Sequence, residues 1–169
     1  MQATAPTIME ETAAHGEKKP VSRRKARKQA FECLYGLIFE TAADERSLRR
    51  VFKRCPHDVE EGEDDTGQDF AWELVHGVWT NQRELDAHIV RFSKHWKLSR
   101  IAKVELTILR LAVYEILFSP DIPLRVALNE AIELAKRYGD ENSRNFISGI
   151  LDAIAKAVDS GEFPIEKEL

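Results

Sequence analysis

Cysteine is scarce in this 169-residue chain, which has only Cys33 and Cys55. That excludes a disulfide scaffold and a four-thiolate zinc site. Long apolar runs are missing as well. The most hydrophobic segment, residues 106–118, is broken by Thr107, Arg110 and Glu115, so it cannot span a bilayer and no membrane role is expected. Residues 1–21 hold Glu10, Glu11, Glu17, Pro6 and Pro20 and no continuous apolar stretch, so no secretory signal is visible and a cytoplasmic location is expected. Positive charge is not in excess either: 25 Lys and Arg stand against 29 Asp and Glu, a net charge of −4. A globally basic nucleic-acid binder is thereby excluded, and any such binding has to be local.

Signatures of catalysis are also lacking. The chain has no GxGxxG, no Walker phosphate loop and no Gly-x-Ser-x-Gly elbow. His15, His57, His76, His88 and His95 are scattered, with no HExxH pair. Cys55-Pro-His57 alone does not make a zinc site. Glu130 and Glu133 sit at helical spacing and read as a solvated face. The expectation is a protein that is not an enzyme and carries no cofactor or metal.

What is present is helical periodicity. Apolar residues recur at three- and four-residue spacing, and no strand-like alternation or solenoid repeat interrupts them. The pattern predicts helices over about 22–41, 44–54, 68–92 and 99–118, then from Pro123 to Gly139, and from Asp140 or Asn142 to about 159. Gly77 within the third helix marks a close helix contact. The fold class is all-α, with six or seven helices. Residues 1–21 read as a disordered tail, 22–159 as one domain, and 160–169 as a C-terminal tail. Within the domain, residues 57–67 form an acidic loop containing six carboxylates. The EF-hand spacing is absent from it, so a solvated loop is expected rather than a calcium site.

One stretch runs against helix electrostatics. In SRRKARKQAFECLYGLIFE, residues 22–40, Arg23, Arg24, Lys25, Arg27 and Lys28 crowd the first turns. The dipole is positive there, and each cation is disfavoured by roughly 0.3–1 kcal/mol before screening. An anionic partner is the simplest reason to accept that penalty. Ser22 caps the helix, and Ala26, Ala30, Cys33, Leu34 and Leu37 form its inner face. Arg24, Lys28, Phe31 and Tyr35 form a second stripe, roughly 140–160° away at 100° per residue. Basic groups pair with phosphates, and aromatic faces stack on unpaired bases. The mixture suits single-stranded nucleic acid, RNA above all. A solubilising face, with Phe31 and Tyr35 against a neighbouring helix, is the plainer reading of the same residues.

Three further blocks carry a family resemblance. IAKVELTILRLAVYEI (101–116), PLRVALNEAIELAKRYG (123–139) and SRNFISGILDAI (143–154), in that order and spacing, resemble the NusB family of bacterial transcription antitermination factors. RRKARKQAFECLY fits that family's arginine-rich first helix, so the likeness covers about residues 22–157. The resemblance implies two small helical bundles and no catalysis. It implies pairing with NusE, a ribosomal protein of the small subunit. It also implies binding of single-stranded boxA RNA in nascent ribosomal transcripts and action with RNA polymerase and other Nus factors. Some members self-associate, so a homodimer is within the family's range.

Carried over by position, the RNA surface would comprise Arg23, Arg24, Arg27 and Tyr35, joined by Lys25 and Lys28 of the same cluster, with Asn142 and Phe146 from the last helix. Glu105 would face NusE, and Glu115 reads as the structural partner of a buried cation. Residue 142 is Asn where an acid is common in the family, and residue 148 is Ser where Asn is frequent. A competing reading is a helical assembly or chaperone module that handles ribosomal protein without reading RNA sequence. A methyltransferase carrying a NusB-like domain is not expected, because no Rossmann-type segment is present.

Overall fold

The first helix of a computed structural model of the chain, α1 (Arg23–Phe39), has no acid in its first turn. It starts because Ser22 accepts a hydrogen bond from the Arg24 amide at 3.2 Å. It is kept by packing, with Ala26, Ala30, Phe31, Cys33 and Leu34 all buried. The structure describes residues 22–58, 66–94 and 96–167. The expected tail at 1–21 and most of the acidic loop lie outside the described residues.

The remaining elements are α2 (Glu45–Arg54), α3 (Thr66–Ser93), a 3-10 turn (Leu98–Arg100), α4 (Lys103–Phe118), α5 (Leu124–Tyr138) and α6 (Glu141–Asp159). Asp44 caps α2 and Asp140 caps α6, each accepting from the amide three residues on. Among the described residues the fold is all-helical, as the periodicity predicts. The helix expected over 99–118 is divided: its first turn is 3-10, and the α-helix begins at Lys103. Thr66 and Gly67, expected in the acidic loop, belong to α3.

Helix α4 holds the molecule together. It packs on α1 and α3 at one side and on α5 and α6 at the other. Its burial on nearly every face explains its apolar circumference, from Leu106 through Ile116. One continuous hydrophobic cluster joins all six α-helices. Polar ties fix the crossings. Arg110 donates a two-pronged pair of hydrogen bonds to Asp86 across α4 and α3, at 2.7 and 2.9 Å. Gln29 and Gln68 exchange amide hydrogen bonds at 3.0 Å between α1 and α3.

Residues 162–167 are not a free tail. Phe163 is buried against His88 and Phe92, and Glu162 pairs with Arg91 at 2.5 Å. Lys167 donates to the carbonyls of Glu115, Ile116 and Ser119 at the end of α4. A cation at a helix C-terminus is favourable. Burial pulls Lys167 down to about 8, with Glu115 and Asp121 pushing the other way.

Gly77 has the role its position predicts. A Cβ there would lie 2.1 Å from the Tyr114 ring, so only glycine lets α3 meet α4 at this crossing. Gly139 is held for space rather than for left-handed backbone: its φ is −110°, and a Cβ would meet the Ser143 Cβ at 2.8 Å. Gly77→Ala should lower unfolding free energy by about 1–3 kcal/mol, the usual cost of overpacking, despite alanine's better helix propensity. Urea unfolding measures it, and a gain in stability would contradict the close crossing.

Candidate nucleic-acid interface

The basic turns of α1 are met by carboxylates from elsewhere in the chain. Arg23 pairs with Asp121 at 3.3 Å, and its guanidinium lies 4.9 Å from the Phe70 ring centre. Arg24 grips Glu130 of α5 with two prongs, Nη2 at 2.8 Å and Nε at 3.2 Å. Lys28 holds Asp58, at the near end of the acidic segment, at 2.9 Å. That contact is the main reason the Asp58 carboxyl titrates below its ordinary value. Lys25 lies half-buried among them. The repulsion between the cations and the helix dipole is therefore offset inside the molecule.

Arg27 corrects the expectation. The family likeness puts it on the RNA surface, but the structure turns it inward, 4% exposed, against Glu115, which is 2% exposed. Its Nε donates to Glu115 Oε1 at 2.8 Å. Nη2 lies 2.7 Å from the same oxygen but makes no hydrogen bond of its own. Glu130 Oε2 stands 3.9 Å from Nη1, so one carboxylate serves both Arg24 and Arg27. The cause is register. Arg27, Ala30, Phe31 and Leu34 follow i, i+3, i+4, i+7, and all four are buried. Burial raises the Glu115 pKa, and the Arg27 hydrogen bond only partly opposes it. A carboxyl raised in the folded state favours folding most below its unfolded pKa, and that advantage is lost as pH rises through the folded value. The Arg27 contact favours the charged form of Glu115, and burial disfavours it.

The aromatic half of the stripe divides too. Phe31 belongs to the core, stacked on Tyr138 with ring centres 4.2 Å apart. Tyr138 in turn donates to Glu32 at 2.6 Å, and its pKa is raised by burial and by Glu32. Tyr35 is half-buried and meets Phe39 edge-on at 5.3 Å. Phe39, at the end of α1, is 63% exposed with the Lys103 ammonium 5.1 Å from its ring centre. The sequence reading missed Phe39, although its i+4 spacing from Tyr35 continues the stripe. A groove of about 480 Å³ lies between α1 and α5, lined by Arg24, Lys25, Lys28, Asp58, Glu130 and Arg137 among others.

The other expected residues gather at the start of α6. Asn142 is exposed, and Phe146 is half-buried. Ser143 donates its hydroxyl to Glu105 at 3.0 Å, so Glu105 is half-buried and ties α4 to α6 as well as showing an edge to solvent. Glu115 meets the buried cation expected of it, and that cation is Arg27. Among the described residues no three His, Cys, Asp or Glu side chains gather as metal ligands. No helix among the described residues is long and apolar enough to cross a membrane.

A helical body with one cationic and aromatic face and a carboxylate-locked first helix defines a class of interaction protein. A family profile described as the NusB family matches residues 24–156. The transcription antitermination protein NusB of Oleidesulfovibrio alaskensis is 52% identical over 140 residues, covering 83% of this chain and 91% of that protein. A solved structure of T. maritima NusB superposes with a TM-score of 0.69 at 38% identity, covering 81% of this chain and 92% of the other. A chain of a complex of antitermination factors NusB and NusE with dsRNA superposes with a TM-score of 0.66 at 26% identity, over 80% and 96%. The chain belongs to the NusB family, a family of non-enzymatic antitermination factors.

Arg24 and Arg27 should differ sharply on truncation. Arg27→Ala leaves Glu115 buried without its hydrogen-bonded cation and should cost about 3–5 kcal/mol in denaturant unfolding. Arg24→Ala removes an exposed guanidinium and should cost far less, although Glu130 on the other side of the pair is mostly covered. Equal losses would contradict the division of α1 into an inner and an outer arginine.

Proposed function

We propose that this chain suppresses transcription termination by binding single-stranded boxA RNA of nascent ribosomal transcripts together with NusE, within a complex that includes RNA polymerase and other Nus factors. The observation that carries the RNA reading is the outer face of α1. Arg23, Arg24 and Lys28 stand at the surface, with Lys25 beside them, and Tyr35 and Phe39 continue the line. Cations on one helix suit a run of phosphates, and aromatics beyond them suit splayed bases. The cations are already paired with Asp121, Glu130 and Asp58. RNA phosphates therefore replace carboxylates rather than filling empty positions, which makes binding an ion exchange with a strong dependence on salt. Asn142 and Phe146 extend the surface, and Glu105 beside them is the proposed NusE contact.

The test is RNA titration of the chain mixed with NusE, using boxA, scrambled and duplex RNA across a salt series. Four cations against a single strand give a log–log salt slope of roughly −3. Arg24→Ala should weaken boxA binding and flatten the slope by about 0.7, while Tyr35→Ala should weaken binding at unchanged slope. Equal affinity for boxA and scrambled RNA would favour an assembly module that handles NusE without reading sequence. Loss of neither affinity nor slope in the Arg24 variant would overturn the α1 surface.

A further inference from the structure

Trp96 is a large aromatic that the fold does not use for its core. It is 49% exposed, in the short connection between α3 and the 3-10 turn. A half-exposed indole leaves much apolar surface in water, where Trp in a monomer is normally well covered. The Trp96 carbonyl is nevertheless held. Ser93 Oγ lies within hydrogen-bond distance of the Val90 and Trp96 carbonyls, at 3.1 and 3.2 Å. Lys94 adopts the left-handed conformation, φ 52°, the one non-glycine described residue to do so. A non-glycine residue in that region is uncommon and marks a specified bend. The bend sets Trp96 against Phe146 of α6, ring centres 5.6 Å apart and planes at 73°. The two rings make an open corner beside the exposed Asn142. Lys94 and Lys97 are exposed on either side of Trp96 in the chain.

We propose that Trp96 is an RNA-contacting residue: with Phe146 it forms an aromatic corner that receives one unpaired base, while Lys94 and Lys97 meet the flanking phosphates. The inference rests on the RNA reading above and extends its surface from α6 onto the α3–α4 connection. Perpendicular rings suit a single base, which stacks on one face and sets its edge against the other. A duplex keeps its bases stacked away from such a corner. The neighbouring lysines favour a polyanion over an apolar protein segment as the occupant.

The experiment measures binding of a fluorescently labelled single-stranded boxA RNA to the full chain with NusE, for wild type, Trp96→Ala, Trp96→Phe and Arg24→Ala. Trp96→Ala should lose roughly five- to a hundredfold in affinity, the range of one base–aromatic stack, with the salt slope unchanged. Trp96→Phe should recover most of that loss. Because Trp96 is exposed, the unfolding midpoint of both variants should match wild type. If Trp96→Ala binds RNA as wild type does while Arg24→Ala is weakened, the corner is overturned and the α1 surface stands. If Trp96→Ala weakens only RNA-free binding of NusE, the corner is a protein contact and the proposal fails. If neither Trp96→Ala nor Arg24→Ala changes RNA affinity, the RNA reading itself fails.

Discussion

The buried ion pair of Arg27 and Glu115 is the constraint on which the rest depends. It joins α1 to the central helix α4 where neither side chain reaches water. A charge pair in that position is not a source of stability in itself, since desolvation roughly cancels the attraction. Its effect is to fix register. Once Arg27 must meet Glu115, Arg24 falls one turn earlier beside Glu130, and Tyr35 and Phe39 fall on the outer side further along. The carboxylate of Glu130, shared between the two arginines, links the inner pair to the surface. Lys167 closes the far side by holding the carbonyls at the end of α4, including that of Glu115. The residues that build the domain and those that present its charged face are thus neighbours on one helix.

Much of this was legible in the sequence. Helix positions follow from the spacing of apolar residues, and the near-complete burial of α4 follows from its apolar circumference. Gly77 announced a close crossing, and Glu115, an acid in an apolar helix, announced a buried cation. The identity of that cation was also written in the chain. Arg27 keeps the buried spacing with Ala30, Phe31 and Leu34, but five similar cations in a row hide which one turns inward. The family likeness puts Arg23, Arg24 and Arg27 on one surface, with Lys25 and Lys28 added from the same cluster, and only packing separates them.

What the sequence could not show are contacts between distant segments. The carboxylates that neutralise α1 come from residues 58, 121 and 130, and no local pattern connects them to Arg23, Arg24 and Lys28. Trp96 sits in an irregular connection, where periodicity says nothing about exposure. The docking of Phe163 and Lys167 is equally nonlocal, so the last residues looked like a tail. The penalty in the first turns of α1 has its explanation in these contacts. The helix tolerates clustered cations because the fold supplies counter-ions from distant segments.

The most direct measurement is boxA RNA affinity of the double variant Arg27→Met with Glu115→Leu, in the presence of NusE. Replacing a buried pair by apolar groups of similar size preserves folding in favourable cases, and circular dichroism and unfolding establish whether the variant qualifies. If Arg27 only sets the register of α1, the folded double variant binds RNA as tightly as wild type, with the same salt slope. If that folded variant loses affinity and its slope flattens, Arg27 meets phosphate itself, and the separation of a building face from a binding face on α1 is wrong.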